Sequence, residues 1–276
     1  MKDKRVLITG GAAGIGLCLA REFAMAGSRL VITDINEVAL EKAKAELSAM
    51  GASVMVRRVD VADRQQVDDL AAEVAKELGG LDVLVNNAGV GHSGELVETS
   101  LDDWHKLVNV NFFGPLHHVY AFLPDMIRAG SGRIVNVSSG QAFFRMPTWG
   151  AYACVKLALG AFSEILGHEL RKFGVGVTTV YPFMVDTGFY SDIEGETWLQ
   201  KLSMKLVPYY SMKPEKVARI IFKAVRDGKS LELVSPINRV AQLIQSVPLA
   251  AALQGQITAR MMGKSPEILQ KELKIG

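Results

Sequence analysis

Tyr152 and Lys156 stand four residues apart in the run Tyr-Ala-Cys-Val-Lys. On a helix that spacing projects both side chains from one face, one turn apart. A phenol with an ordinary pKa of about 10 is a poor base at neutral pH. A neighbouring ammonium favours the phenolate and lowers that value. The pair can then exchange a proton with an alcohol or a carbonyl oxygen. Ser139 closes the run Ile-Val-Asn-Val-Ser-Ser at residues 134–139, which reads as a buried strand with a polar end. If that end lies beside the helix, the Ser139 hydroxyl can hydrogen-bond the reacting oxygen. By itself Tyr-x-x-x-Lys describes many solvated helix faces, so the surrounding elements must decide between the two readings.

Those elements alternate. Residues 6–9 are a short apolar run that meets Gly10-Gly11-Ala12-Ala13-Gly14-Ile15-Gly16, and a helical pattern follows over 17–26. Glycines between a first strand and a helix permit a tight turn and let backbone N–H groups approach a pyrophosphate. Residues 29–34 form a second strand ending in Asp34, about twenty residues past the glycines, where an acid binds the adenosine ribose hydroxyls. Asp34 would repel a 2′-phosphate, Ile35 follows it, and the glycine loop holds no basic residue. That combination favours NAD over NADP. Asp34 also reads as a cap for the amphipathic helix at 36–50.

A third strand at 53–59 ends at Asp60-Val61, where Asp60 reads equally as an adenine ligand or a turn residue. A helix at 63–78 with Asp63 as its cap leads to a fourth strand at 81–85 and then Asn86-Asn87-Ala88-Gly89, small and amide residues that admit a cofactor. A helical region is expected over 96–108. Asn111 then interrupts a helix, a costly placement that suggests a held water or a locally opened turn. Further expectations are a helix at 116–127, a strand at 133–137, a loop at 141–149, a helix at 151–173 and a strand at 175–180. Pro182, Val185 and Thr187 follow that strand. Residues 183–212 lack clear periodicity, and they are expected to form a substrate lid or a surface excursion. A helix at 213–225, with Ser211 as a possible cap, and a seventh strand at 231–234 complete the pattern.

The expected fold is α/β: one Rossmann-like doubly wound domain over 1–235, with a seven-stranded parallel sheet and helices on both faces. Its binding site lies at the carboxyl ends of the strands. Residues 236–276 form an apolar helical extension and a polar tail. That extension could line a lipophilic entrance, touch a membrane surface, or pack on the body or a second subunit.

Composition sets bounds. The 276 residues are 49% hydrophobic and 22% charged, with a net charge of +2, which argues against a nucleic-acid partner. Cys18 and Cys154 fall in apolar helical patterns and are expected to be buried thiols of a reducing compartment. The opening Met-Lys-Asp-Lys-Arg carries no signal-peptide pattern, and no uninterrupted apolar run reaches bilayer length. The expected location is cytoplasmic, with peripheral membrane association through the extension as a further possibility. The histidines form no ligand set, so no metal is expected.

Together, Thr9–Gly16, Asn86–Gly89, Asn111, Ser139 and Tyr152-x-x-x-Lys156 resemble the short-chain dehydrogenase/reductase superfamily over about residues 5 to 235. The resemblance implies Tyr152 as general acid/base. It implies that Lys156 lowers the tyrosine pKa and binds the nicotinamide ribose, and that Ser139 polarises the substrate oxygen. Asn111 would hold a relay water. The cofactor contacts it implies are Gly10, Gly14, Ile15, Gly16, Asp34, Asp60, Val61, Asn87, Ala88, Gly89, Tyr152, Lys156, Pro182, Val185 and Thr187. The family has Pro-Gly where this chain has Pro182-Phe183. Val185–Phe189 and the apolar extension are similar to a branch acting on retinoids, steroids and other lipophilic alcohols. The implied activity is NAD-dependent interconversion of an alcohol and a carbonyl on a hydrophobic small molecule, in a homo-oligomer (dimer or tetramer) joined through the helices at 111–127 and 151–173. Alternatives are a 3-oxoacyl thioester reductase and a non-catalytic nucleotide-binding scaffold.

Overall fold

The computed structural model describes residues 1–190 and 211–262. Seven parallel strands lie in the order β3-β2-β1-β4-β5-β6-β7. They are β1 (Arg5–Thr9), β2 (Arg29–Asp34), β3 (Ser53–Arg58), β4 (Val83–Asn86), β5 (Gly132–Val137), β6 (Val175–Tyr181) and β7 (Leu231–Leu233). The order reverses between β1 and β4, and a crevice opens at their carboxyl ends.

Alternation along each strand builds two cores. Val6 and Ile8 of β1 face one side with α1 (Gly14–Met25), α2 (Glu37–Ala49) and α8 (Pro214–Arg226), where Leu19, Phe23, Leu47, Val217 and Ile221 are buried. Leu7 faces the other side with α3 (Arg64–Leu78), α5 (Gly114–Ala129) and α7 (Gly150–Leu170), where Val67, Val119, Met126 and Leu166 are buried. A strand covered on both faces must be apolar throughout, which is why β1 and β4 read as continuous hydrophobic runs. Truncating a side chain as enclosed as Phe23 costs about 3–5 kcal/mol.

Several local expectations change. The helix expected from 96 begins only at Leu101, as α4 (Leu101–Val108), because Ser100 caps it by accepting from the Asp103 N–H at 3.1 Å. Asn109–Phe113 is a π-helical turn between α4 and α5, the local opening that Asn111 suggested. Residues Gln141–Phe144, expected as loop, form the short helix α6. The cap of α2 is Asn36, which accepts from the Ala39 N–H; Asp34 instead accepts from the Asn36 N–H. Lys213, not Ser211, occupies the cap position of α8. Cys18 is buried, but Cys154 is exposed, because it lies on the outer face of α7. Among the described residues α7, continued to Phe173, is long and apolar enough to cross a membrane, and half of it is buried against the sheet.

The extension forms α9 (Pro236–Gln245) and α10 (Pro248–Met262). Asn238, fully buried, donates to the Tyr181 carbonyl at 2.6 Å, and Gln254 donates to the Phe144 carbonyl at 2.8 Å. The two helices and the link between them expose Ile237, Val240, Leu243, Val247, Leu249, Leu253 and Ile257. Of the lid expected at 183–212, residues 191–210 lie outside the described part, as does the expected tail at 264–276.

Candidate active site

Glycines shape the floor of the crevice. Gly10 has φ +60° and Gly14 φ +52°, left-handed geometry that disfavours side chains. A β-carbon at Gly16 would overlap the Gly10 carbonyl and sit 2.7 Å from Asn87 Nδ2, so helix and loop touch backbone to backbone there. No side chain caps the N-terminus of α1, whose first residues Gly14 and Ile15 line the crevice. Thr9 and Asn87 brace the loop: Asn87 Nδ2 donates to the Thr9 and Gly10 carbonyls, and Thr9 Oγ1 accepts from the Asn87 and Ala88 N–H groups, all at 3.0 Å.

Asp34 accepts from the Ala12 N–H at 3.3 Å and faces the same crevice, so it both ties down the loop and presents a carboxylate. Asp60 accepts from the Ala62 N–H at 2.9 Å, the turn role, and also lines the crevice with Val61.

The other end of the cleft is built by α7 and the end of β5. Tyr152 and Lys156 are 6% and 4% exposed, so this pair is not a solvated helix face. The Lys156 ammonium lies 5.8 Å from the Tyr152 ring centroid and donates to the Val137 carbonyl at 3.0 Å. Burial brings its pKa down to about 8. Ser139 is buried and accepts from the Gln141 N–H at 3.2 Å. Ser139, Tyr152 and Lys156 all line one cleft of about 370 Å³ with Gly10, Asn87, Ala88, Gly89, Pro182, Val185 and Thr187.

Asn111 sits behind that surface, fully buried. It donates to the Val90 and Leu107 carbonyls at 3.0 and 3.1 Å and accepts from the Val90 N–H. A β-carbon at Gly89 would lie 2.7 Å from Asn111 Oδ1 and 3.5 Å from Lys156 Nζ, so a glycine there keeps the two groups in reach of one another. The π turn aims Asn111 inward where a regular helix would turn it elsewhere.

Ser138, Asn136, Ser163 and Trp149 were not singled out from sequence, whereas Asn86 and Phe183 were. Ser138, next to Ser139, donates to the Lys156 carbonyl at 2.7 Å. Asn86, Asn136 and Ser163 form a buried chain from β4 to α7, with links of 2.8 Å. Their polarity inside apolar runs was the available signal. Trp149 and Phe189 flank Tyr152, with ring centroids 5.9 and 5.7 Å away. Phe183 stacks on Phe144 at 4.2 Å, so the residue replacing glycine after Pro182 becomes part of the wall. Arg145, Thr148 and Met184 adopt left-handed backbone conformations in the two segments bordering the cleft, the kind of strain that gathers at functional sites.

The observed groups suit a dinucleotide. The glycine cradle would be filled by any β-carbon, the uncapped helix start favours a pyrophosphate, and Asp34 offers two acceptors to a ribose. Among the described residues no cluster of His, Cys, Asp or Glu could hold a metal.

Fold and site define the doubly wound class, with a crevice at the carboxyl ends of the strands whose lining suits a dinucleotide. Residues 4–197 match the short chain dehydrogenase family, and the chain belongs to it. A short chain dehydrogenase/reductase of Burkholderia phymatum, solved in complex with NAD, matches with a TM-score of 0.83 and 30% identity, covering 92% of this chain and 96% of that one. The probable oxidoreductase EphD of Mycobacterium tuberculosis is 33% identical over 244 residues, 85% of this chain; the chain spans 41% of that relative's length. The 2,5-dichloro-2,5-cyclohexadiene-1,4-diol dehydrogenase LinX of Sphingobium indicum is 32% identical over 203 residues, 74% of this chain and 81% of that protein.

Proposed function

We propose that this chain is an NAD(H)-dependent oxidoreductase that interconverts an alcohol and a carbonyl on a hydrophobic small molecule. The observation carrying this reading is the convergence of buried Tyr152, Lys156 and Ser139 on the cleft that also holds the glycine cradle. Gly10, Gly14, Ile15 and Gly16 would hold the pyrophosphate, Asp34 the adenosine ribose, and Lys156 the nicotinamide ribose. Bound there, the nicotinamide supplies hydride exchange with the substrate carbon. The protein handles the proton. In alcohol oxidation the Tyr152 phenolate oxygen takes the hydroxyl proton, and in carbonyl reduction the phenol returns it. The Lys156 ammonium favours the phenolate, and its bond to the Val137 carbonyl fixes its direction. Ser139 Oγ donates to the substrate oxygen, and Asn111 holds a water that passes protons to Lys156. Val90, Trp149, Phe183 and Phe189 supply an apolar wall around these groups and support a hydrophobic substrate.

NAD is preferred over NADP because the Asp34 carboxylate would face a 2′-phosphate across the cleft. The test is turnover of an alcohol panel with both cofactors, for wild type and Tyr152→Phe. The expected result is a kcat loss of about 10² to 10⁴ in the variant with cofactor binding kept. Full turnover by Tyr152→Phe would refute the proton role.

Exposed Phe113, Tyr120, Leu157 and Ile165 on the π turn, α5 and α7 support a homo-oligomer joined through those helices. A sedimentation mass of one chain at micromolar concentration would remove that part. The apolar stripe on α9 and α10 supports peripheral membrane contact by a cytoplasmic protein. Failure to co-sediment with anionic vesicles would remove that one.

A further inference from the structure

Asn238 stands in the extension, beyond the residues 4–197 that match the family, and it is fully buried. Ser235 caps α9 by accepting from the Ile237 N–H at 3.3 Å, which sets Asn238 in the first turn. From there its side chain reaches two segments that border the cleft. Its Nδ2 donates to the Tyr181 carbonyl at 2.6 Å, at the carboxyl end of β6 and just before Pro182 and Phe183. Its Oδ1 lies 2.5 Å from where a β-carbon of Gly140 would stand, so a side chain at 140 has no room. Phe183 presses on the same point at 2.8 Å, and the Gly140 N–H donates to the Pro182 carbonyl at 2.7 Å. Gly140 directly follows Ser139. Asn238 therefore closes a junction between the Ser139 turn after β5 and the Phe183 segment after β6. It does so at a cost, because its Oδ1 is enclosed without a hydrogen-bond partner among the described residues. An apolar side chain would avoid that cost, so stability alone does not account for the amide.

We propose that Asn238 is a positioning residue for the reaction: by locking Gly140 against the Tyr181–Phe183 segment, it fixes where Ser139 Oγ meets the reacting oxygen. The inference rests on the alcohol-oxidising reading above and extends its machinery into the C-terminal extension. Asn238 is not among the residues that line the cleft, so it acts through Gly140 on Ser139 and not on the substrate. Without the amide, Gly140 is free to move toward the space it leaves, and the Ser139 hydroxyl moves with it. A misplacement of about 1 Å in a reacting group costs about 10²-fold in rate. The glycine cradle, built by β1, α1 and the Asn87 segment, does not touch this junction.

The experiment measures kcat, KM, NADH affinity and thermal melting, with NAD and an alcohol that wild type turns over. It compares wild type, Asn238→Ala, Asn238→Leu, Ser139→Ala and the two double variants. Asn238→Leu removes both polar atoms while keeping the space filled, should Asn238→Ala fail to fold. Each Asn238 variant is expected to lose kcat by about tenfold or more while NADH affinity is kept. In the Ser139→Ala background the same substitution is expected to cost little further kcat, because the group it positions is gone. A merely structural role predicts that the two losses multiply, and that outcome overturns the inference. Full kcat in a folded Asn238 variant also overturns it, as does failure of both variants to fold, which would make Asn238 a folding determinant. In each of these cases turnover by wild type leaves the alcohol-oxidising reading standing. Absence of turnover with every alcohol, despite NADH binding, overturns that reading and this inference together.

Discussion

The Ser138 hydroxyl donates to the backbone carbonyl of Lys156 at 2.7 Å, while the Lys156 ammonium donates to the carbonyl of Val137, the residue before Ser138, at 3.0 Å. Strand β5 and helix α7 are thus laced together at the residue whose charge the proposed proton transfer uses. Asn136, one step further back, adds a third tie to α7 by donating to Ser163 at 2.8 Å.

Ser138→Ala tests this lacing. Losing one neutral buried hydrogen bond is expected to lower stability by about 1 kcal/mol. Displacement of α7 relative to Ser139 is expected to reduce kcat by about tenfold, because proton transfer is sensitive to sub-ångström geometry. Cofactor affinity should change less than kcat, since the glycine cradle is untouched. Thermal melts, NADH titration and steady-state rates separate the three quantities.

The buried ammonium makes stability depend on pH. Burial lowers the Lys156 pKa to about 8 from an ordinary 10.5. Below the lower value both folded and unfolded chains carry the proton, and the folded state bears the whole cost of enclosing it. Between the two values the unfolded chain binds the proton and the folded chain has released it, so stability rises with pH in that window. Lys156→Met, which has no charge to bury, is therefore expected to be more stable than wild type at neutral pH, by an amount on the order of 3 kcal/mol. The advantage should shrink as pH rises from about 8 to about 10.5. Urea unfolding across that range checks the sign.

Gly16 is the position where a methyl group meets backbone it cannot push aside, the Gly10 carbonyl, as well as the Asn87 side chain. Gly16→Ala is expected to open the loop from the helix at a cost of about 1–3 kcal/mol. Because the loop then loses its shape, NADH affinity should fall by at least about tenfold. Fluorescence titration beside a thermal melt would show both effects, and unchanged NADH affinity would contradict the cradle.

The two thiols should behave differently. Cys154 is exposed, whereas Cys18 is enclosed and burial pushes its thiol pKa up. A disulfide reagent is expected to label one thiol per folded chain within minutes and the second only on unfolding. Labelling of both in the folded state would contradict the packing of α1.

Much of this protein was readable from its residues in order. The doubly wound fold, the seven strands and the cleft-lining residues from Gly10 to Thr187 follow from local rules: apolar runs, glycines between strand and helix, and a carboxylate ending the second strand. Backbone sterics and hydrophobic period act over a few residues, so a linear string carries them. Even the oddity at Asn111 was visible, because an amide inside a helix demands a reason.

What tertiary structure decided was enclosure and partnership. Sequence could not say that Tyr152 and Lys156 are buried, because the layers covering that helix face come from distant parts of the chain. It placed Cys154 inside when α7 turns it outward. It passed over Ser138, Asn136 and Ser163, whose partners are 18 and 27 residues away. Hydrogen bonding and desolvation depend on which atoms meet across the fold, and only packing brings those atoms together.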